Sequence, residues 1–457
     1  MRPFEILLLA AMAAGVAALA RPWLARIAVL AMVFTLFGHQ LVDLPRWQMF
    51  PAYLLCLILA AAVLVRQGRP APIPLVIAAG LGLVLCAAPP IAFPVFSLPA
   101  PDGPYAVGTV SYHWVDADRA EIFTADPADR RELMVQVWYP AAPTTDPRRA
   151  PYVPDTRALA PMARLLRLPA FMMSHLGLIR TNAVPDAPAA AGRFPVLVFA
   201  HGRAGYAQHN SVQAEMLASH GYVVIAMAQP YAATGVVFPD GRRAAFDRRM
   251  MDRRFIDQVI PFLAGDASFV LDELARLDRA DPGGRLTGRL DLSRAGMFGL
   301  SLGGAVTAQA CRDDRRFKAC LPMDVFMPAA VVRSGLKQPT MWLSRDAALM
   351  RREGWAEVDV LETQSTMRAV FDRLPGEGWI VRAPGFYHQD FSDMPMFLRP
   401  PLGRWLGLDG PVEPRRARAI VNAYSLAFFD HTLKGRPEPL LDGPSSAWSD
   451  VRLERRR

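Results

Sequence analysis

The first 95 residues consist mainly of four apolar stretches: Phe4–Ala20, Leu24–Val42, Tyr53–Val65 and Ile73–Phe93. Several approach the ~20 apolar residues that a helix needs to cross the hydrocarbon core of a bilayer. The first stretch also has the form of a secretory signal, but three more follow at once, which favours an uncleaved anchor. We therefore predict a transmembrane region of about four helices over residues 1–95.

The placement of arginine predicts the orientation of these helices. With four crossings, one side of the membrane carries four arginines: Arg21, Arg26, Arg66 and Arg69. The other side carries only Arg2 and Arg46, with Glu5 and Asp43 nearby, and continues into Ser97–Asp118, which contains neither Lys nor Arg. The positive-inside rule then assigns the arginine-rich side to the cytoplasm and the rest of the chain to the extracytoplasmic side.

After a Pro-rich linker over residues 96–104, the pattern changes to that of a globular domain over residues 105–457. Strongly apolar strands alternate there with helical stretches, which is typical of a mostly parallel sheet covered by helices on both faces. Two strands open the domain, and the second alternates apolar and polar residues as half-buried strands do. The predicted strands are Val107–Trp114, Leu133–Tyr139, Pro195–Ala200, Tyr222–Met227, Ala295–Gly299, Phe317–Met323, Thr340–Ser344 and Trp379–Ala383, and the helices are Ser211–Ser219, Phe255–Leu277, Leu302–Cys311, Trp355–Leu374 and Arg418–Lys434.

The segment Pro151–Pro185 interrupts this alternation with prolines, methionines and an apolar face. Two interpretations stay open. The segment covers a pocket or touches lipid, or it packs as ordinary helix against the sheet.

Composition excludes several classes of protein. The net charge of +9 comes almost entirely from arginine, and basic runs such as Arg455–Arg457 are typical of solvated tails rather than nucleic-acid sites. No zinc-ligand spacing, phosphate-binding P-loop or dinucleotide-binding glycine pattern is present. We predict no metal, no cofactor and no nucleic-acid partner. The spacing of Cys311 and Cys320 permits a disulfide without requiring one.

The chemistry centres on Gly299-Leu300-Ser301-Leu302-Gly303, which fits the G-x-S-x-G pattern of a nucleophile elbow. In this turn a strand passes sharply into a helix and lifts a serine hydroxyl above the edge of the sheet. A predicted strand precedes Ser301 and an Ala-rich helix follows it, which is the context that the pattern requires. Ser301 is therefore the predicted nucleophile.

A serine nucleophile needs a histidine as its base, and in this arrangement the histidine follows the serine in the chain. Only His388 and His431 do so. His388 comes just after the last predicted strand, where a loop can reach back to the serine. His431 lies in the last turn of the final helix, where a cation favours the helix dipole. His388 is the predicted general base.

The spacing leaves two candidates for the acid that orients this histidine. Asp324 ends the strand after the nucleophile strand, and Asp346 follows the next strand. Both lie at the carboxyl ends of strands, where the sites of open α/β sheets gather. Asp346 has Arg345 and Arg351 close in sequence and has the alternative role of a helix cap. The pattern does not separate the two.

Two backbone N–H groups complete the predicted site. The strand that ends at Ala200 runs into His201-Gly202-Arg203, the usual position of one oxyanion donor, and the residue after the nucleophile supplies the other. We assign the oxyanion hole to the N–H groups of Arg203 and Leu302. His201 precedes Ser301 in the chain, so we interpret it as a residue that shapes the loop.

From about residue 103 onwards the chain resembles the platelet-activating-factor acetylhydrolase group, α/β-hydrolases of the plasma/type II kind with bacterial relatives. The segments that carry the resemblance are Asp116–Arg119, Arg131–Pro140, Ala200–Gly202, the Ser301 turn, Met323-Asp324 and His388–Asp393. It implies an α/β-hydrolase fold, no cofactor, and Asp324 as the acid. Leu300 departs from the group, which often has histidine before the serine. The four predicted spans are not part of the group's pattern, and a bacterial relative with them would lie in the inner membrane.

The predicted function is hydrolysis of carboxylic esters by a membrane-anchored serine esterase, and the resemblance implies small ester or phospholipid substrates. Two alternatives remain. One is acyl transfer to an alcohol through the same residues, and the other is a catalytically silent binding or sensor protein on a hydrolase scaffold. The sequence does not indicate an oligomeric state.

Overall fold

The computed structural model describes residues 1–457. Its first four helices form a bundle: α1 (Pro3–Ala20), α2 (Ala25–Gly38), α3 (Phe50–Val65) and α4 (Ile73–Ala92). With the turns that flank them, four segments are long and apolar enough to cross a membrane, by length and composition. Leu8, Met12 and Met32 pack inside the bundle, whereas Leu30 and Phe34 are about 70% exposed on its outside. Apolar residues on all sides of a helix are typical of membrane spans.

The rest of the chain is built around a ten-stranded sheet in the order β12-β11-β10-β9-β8-β4-β5-β2-β1-β3. Strands β5, β4, β8, β9, β10 and β11 run parallel, and β1, β2 and β12 add antiparallel pairs. The strands are β1 (Ala106–Ala120), β2 (Arg130–Ala141), β3 (Val184–Pro185), β4 (Phe194–Ala200), β5 (Val223–Ala228), β6 (Gly235–Val237), β7 (Arg243–Ala245), β8 (Leu290–Leu300), β9 (Phe317–Met323), β10 (Thr340–Ser344), β11 (Gly378–Arg382) and β12 (Arg452–Arg456). Strands β6 and β7 form a separate hairpin.

Helices cover both faces of this sheet. The remaining helices are α5 (Ala160–Leu165), α6 (Ser211–Ser219), α7 (Arg253–Arg279), α8 (Leu302–Asp313), α9 (Ala329–Ser334), α10 (Ala347–Glu353), α11 (Glu357–Phe371), α12 (Pro400–Trp405) and α13 (Pro414–Lys434). One large core lies between the sheet and α7, α8 and α11, and a second lies between the sheet and α6 and α13. The predicted α/β class is therefore confirmed.

The prediction that the basic run Arg455–Arg457 is a solvated tail is wrong for Arg455 and Arg456. Arg455 and its neighbours belong to strand β12, which pairs antiparallel with β11. Arg455 forms ion pairs with Glu377 and Asp442 at the edge of the sheet. Such an edge strand needs no apolar alternation, because most of its side chains form ion pairs rather than pack in the core.

The bundle and the sheet domain contact each other directly. The indole N–H of Trp47 donates a hydrogen bond to the carbonyl of Met172 (3.2 Å), and the Trp47 ring packs edge-on against Phe171. On the other side of the contact, the N–H of Arg399 donates to the carbonyl of Ala92 at the end of α4 (3.3 Å). The segment between residues 151 and 185 thus contacts the bundle, an arrangement that neither of its two interpretations stated.

A disulfide joins Cys311, near the end of α8, to Cys320 in β9, with 6.5 Å between the Cα atoms. The spacing of the two cysteines had left this pairing open. Cys56 and Cys86 are free and buried within the bundle.

Candidate active site

Ser301 lies at the junction between β8, which ends at Leu300, and α8, which begins at Leu302. Its backbone has φ +58° and ψ −127°, a conformation that costs free energy for any residue with a side chain. The turn also brings strand and helix very close together. A Cβ on Gly303 would lie 2.0 Å from the carbonyl oxygen of Ala200, so only glycine fits there.

Asp324 and His388 meet at the carboxyl end of the sheet. Asp324 follows β9 directly, and His388 lies in the loop after β11. His388 Nδ1 is 2.7 Å from Asp324 Oδ2, and the Asp324 side chain is fully buried. Burial alone would raise the pKa of Asp324, but the positive charge of Arg345 and the hydrogen bond from His388 hold it below its usual value.

Asp346, the other candidate acid, lies outside this arrangement. Its carboxylate is 3.7 Å from the guanidinium of Arg382 and forms a further ion pair with Arg452. Its side chain is 36% exposed and makes no hydrogen bond to His388. The geometry therefore favours Asp324 as the partner of the histidine.

Ser301, Asp324, Arg203 and Leu302 line one cavity of about 390 Å³. The same cavity is lined by Trp355, whose ring packs edge-on against that of His388 with 5.1 Å between centroids. No hydrogen bond joins the Ser301 hydroxyl to His388 in this structure, and such bonds are often long in enzymes without substrate. The cavity brings together the serine, its candidate acid and both candidate oxyanion donors.

The two predicted oxyanion donors lie beside the serine. A Cβ on Gly202 would be 3.3 Å from the Cβ of Ser301, which brings the 202–203 loop within contact of the nucleophile. The N–H of Arg203 donates to no backbone acceptor. Leu302 is the first residue of α8, and the first N–H groups of a helix have no acceptor within the helix. Both N–H groups are therefore free to donate to a substrate oxygen.

His201 has the loop-shaping position that the sequence predicted. Its Nε2 accepts the N–H of Gln229 (3.2 Å), so Nδ1 carries the proton and donates to the carbonyl of Gly202 (2.8 Å). Burial lowers the pKa of His201 to about 4, so the ring is neutral at pH 7.

A buried ion pair is connected to His201 through Gln229. The Gln229 amide donates to Asp266 Oδ2 (2.8 Å), and Asp266 pairs with Arg131 at 2.7 Å. All of these side chains are buried. Arg131 is thus connected through Asp266 and Gln229 to His201, which precedes Gly202 and Arg203 in the loop.

Two functional neighbours of the site were missed at the sequence level. Arg345 is fully buried, and its Nε donates to Asp324 Oδ2 (2.9 Å), the same oxygen that His388 contacts. Its Nη1 pairs with Glu353, whose carboxylate also accepts the backbone N–H of His388 (3.2 Å). Arg345 directly follows β10, as Asp324 directly follows β9. Because these two strands are parallel neighbours, their carboxyl ends lie at the same edge of the sheet. This adjacency was the signal that could have placed Arg345 beside Asp324.

Two other acids shape the loop that carries His388. Asp390 accepts the N–H groups of Tyr387 (2.7 Å) and Gly410 (2.8 Å). Asp393 accepts the hydroxyl of Tyr152 (3.2 Å). Burial raises the pKa of each to about 7. Neither carboxylate forms a hydrogen bond to the His388 ring, whose carboxylate partner is Asp324.

The doubly covered parallel sheet, with a strained serine turn between β8 and α8 and an acid–histidine pair after β9 and β11, defines an α/β-hydrolase. Residues 91–242 and 277–438 match the family model "Platelet-activating factor acetylhydrolase, isoform II". The match covers more than half of the chain, so this protein belongs to that family, as the resemblance indicated.

Individual relatives agree with this assignment. The chain is 22% identical to the platelet-activating factor acetylhydrolase of Cavia porcellus, over 74% of this chain and 78% of the relative. It is 25% identical to a probable 1-alkyl-2-acetylglycerophosphocholine esterase of Arthroderma benhamiae, over 78% of this chain and 93% of the relative. A solved ferulic acid esterase from Streptomyces cinnamoneus superposes with a TM-score of 0.65 at 33% identity, covering 79% of this chain and 99% of that structure. The chain is a carboxylic ester hydrolase, which confirms the predicted reaction class.

Proposed function

We propose that this protein is a membrane-anchored serine esterase that cleaves acyl esters, including those of phospholipids, through a Ser301–His388–Asp324 triad. The observation that carries the proposal is the 2.7 Å contact between His388 and Asp324 at the carboxyl end of the sheet that presents the strained Ser301. The substrate class is supported by two relatives, a platelet-activating factor acetylhydrolase and a probable 1-alkyl-2-acetylglycerophosphocholine esterase.

In the proposed reaction, His388 Nε2 takes the proton of Ser301 as Oγ bonds to the ester carbonyl carbon. The N–H groups of Arg203 and Leu302 stabilise the oxyanion, and Asp324 stabilises the imidazolium. The C–O bond to the alcohol then breaks, and His388 donates its proton to the leaving oxygen. In the second half of the reaction His388 takes a proton from water as the water oxygen bonds to the acyl carbon. The acyl bond to Ser301 then breaks, His388 returns the proton to Oγ, and the acid is released.

Two further observations support a membrane anchor with an extracytoplasmic catalytic domain. The four arginines on the connections of the bundle lie away from the end that contacts the domain, as the positive-inside rule requires for that orientation. The domain also carries the Cys311–Cys320 disulfide, and disulfides persist in oxidising compartments.

Two chain segments that adjoin the site reach the bundle or the linker. The segment that begins at His388 reaches the bundle at Arg399, whose N–H contacts α4. Tyr206, in the loop after Gly202 and Arg203, packs in one cluster with Leu98 of the linker. This arrangement suits an ester that is delivered from the membrane.

The test is hydrolysis of a series of p-nitrophenyl esters of increasing chain length by the full chain in detergent micelles. Ser301→Ala is expected to lower kcat/KM by at least about 10³-fold, and Asp324→Asn by about 10²–10⁴-fold. Asp346→Asn is the matched control and is expected to retain activity. Equal loss in Asp346→Asn, or full activity in Ser301→Ala, would contradict the proposed triad.

A further inference from the structure

A second cavity, of about 730 Å³, lies between the linker and helix α13 and shares no lining residue with the Ser301 cavity. One wall is formed by linker residues 97–102 as the chain leaves the membrane bundle. The opposite wall is one face of α13, whose lining residues recur at helical spacing: Arg415, Arg418, Ala419, Asn422, Ala423 and Leu426. The esterase reaction proposed above uses none of these residues.

Arg418 is the unusual residue of this wall. It is mostly buried, yet it forms no ion pair, and none of its nitrogens has a hydrogen-bond partner. Its Nε and Nη1 are enclosed without hydrogen-bond partners, and its side chain lines the cavity. A guanidinium usually pairs with a carboxylate or phosphate when it is buried, because an unpaired buried charge is costly.

The acidic residues of the surroundings do not supply that partner. Asp393 acts on Arg418 only at longer range, and its carboxylate already accepts the Tyr152 hydroxyl and the Val212 N–H. Asp102, the acid that lines the cavity, is 84% exposed and faces His220 at 3.7 Å. The second arginine, Arg415, adds positive charge at the same end of the helix face.

The opposite end of the face is apolar. From Arg415 to Leu426 the helix rises about 16 Å at 1.5 Å per residue, and charge gives way to the amide of Asn422 and then to Ala423 and Leu426. Leu98, Met216 and Trp448 add apolar surface around the cavity. The cavity therefore offers a cationic end and an apolar body, which matches a molecule with an anionic head and a hydrocarbon tail.

We propose that this cavity binds an amphiphilic anion, with its carboxylate or phosphate at Arg418 and Arg415 and its hydrocarbon portion along the α13 face toward Leu426. Two sources share this chemistry: a free fatty acid and an anionic membrane lipid. The cavity is separate from the triad, so a negative result for lipid binding would not contradict the proposed esterase activity.

The experiment is photo-crosslinking of the full chain in lipid nanodiscs, followed by peptide mapping. One arm uses a diazirine-labelled dodecanoate in nanodiscs of phosphatidylcholine, and the other uses a diazirine-labelled phosphatidylglycerol. We expect labelling of the linker or the α13 face in wild type and in Ser301→Ala. Labelling by dodecanoate alone assigns the site to free acids, and labelling by phosphatidylglycerol assigns it to membrane lipid.

Three variants complete the design. Arg418→Met should reduce the cavity labelling at least tenfold, and Arg276→Met is the control, since Arg276 lies on α7, does not line the cavity and pairs with Glu273. Ala423→Phe fills the cavity without changing charge and should also reduce labelling, and ester hydrolysis by each variant reports that it is folded. No cavity labelling by either probe, or equal labelling in Arg418→Met and Arg276→Met, would overturn the proposal.

Discussion

Arg345 and His388 share one oxygen of Asp324, and this sharing determines how the carboxylate responds to pH. The other oxygen of Asp324 is buried and has no hydrogen-bond partner. The charge of Arg345 therefore offsets the cost of burying an ionised carboxylate at this position. Because the pKa of Asp324 is depressed in the folded state, its ionisation stabilises the fold above the ordinary value of 3.8 and that contribution is lost as the pH falls below it.

We predict that Arg345→Met raises the pKa of Asp324 and moves the acid limb of the kcat/KM profile to higher pH. A protonated Asp324 no longer stabilises the His388 imidazolium. The variant should also lose about 3–5 kcal/mol of stability at pH 7, the usual cost of removing one partner of a buried pair. pH–rate profiles and chemical denaturation measure the two effects.

Arg351→Met is the control for this prediction. Arg351 lies on the helix that follows Arg345, but its ion pair with Glu357 is on the surface. It should leave both the pH profile and the unfolding midpoint as in wild type. An unshifted acid limb in Arg345→Met would mean that Arg345 has only a structural role.

The sequence restricts the candidate site most where chemistry limits the residue type, and least where packing decides. Only two histidines follow Ser301, so His388 could be chosen by elimination and position. The choice between Asp324 and Asp346 depends on which strand end faces the histidine, and the spacing alone left it open. Arg345 and Glu353 act through contacts between separate strand and helix ends, which no local pattern encodes.

At the scale of elements, the turn around Ser301 depends on how closely β8 and α8 approach. We predict that Gly303→Ala displaces the serine and lowers kcat/KM by at least about 10²-fold, since misplacing a reacting atom by about 1 Å has that effect. The measurement is ester hydrolysis together with thermal unfolding. Gly376→Ala is the control, because a Cβ there meets no atom within 4 Å. Equal activity in the two variants would contradict the requirement for glycine at 303.

The disulfide between α8 and β9 belongs to the same scale. Its cysteines are 9 positions apart, and closing so short a loop stabilises a fold by about 2–3 kcal/mol in the chain-entropy model. We predict that the double variant Cys311→Ala/Cys320→Ala loses about that much stability and becomes insensitive to reductant. Cys86→Ala, which removes a free thiol, should keep the reductant sensitivity of wild type. A wild type whose melting does not respond to reductant would contradict the contribution assigned to this bond.

Elements with strong hydrophobic patterns were predicted most accurately. The predicted bounds of β9, β10 and α6 coincide with the observed ones, because β9 and β10 are short, mostly buried strands and α6 is a compact buried helix. Strand β12 was missed because its side chains are mostly arginine and glutamate, which form ion pairs at the sheet edge. The β6–β7 hairpin was missed because its three-residue strands are too short to show a period.

At the scale of the whole molecule, Trp47 connects the bundle to the domain. We predict that Trp47→Ala loosens this contact and lowers activity toward long-chain esters embedded in vesicles by several-fold, whereas activity toward soluble p-nitrophenyl acetate is unchanged. Both substrates are measured on the same reconstituted preparation. Trp23→Ala is the control, since Trp23 is 74% exposed on the bundle. An equal fall for both substrates would indicate a defect in the catalytic domain itself.

The contact of Arg399 with the end of α4, on the segment that begins at His388, has a kinetic consequence if the bundle spans a bilayer as proposed. The enzyme and its ester then diffuse in two dimensions, and encounter depends on surface density rather than on bulk concentration. At fixed total substrate, diluting the ester with an inert lipid should lower the rate in proportion to its mole fraction. Adding more vesicles of the same composition should leave turnover per enzyme unchanged.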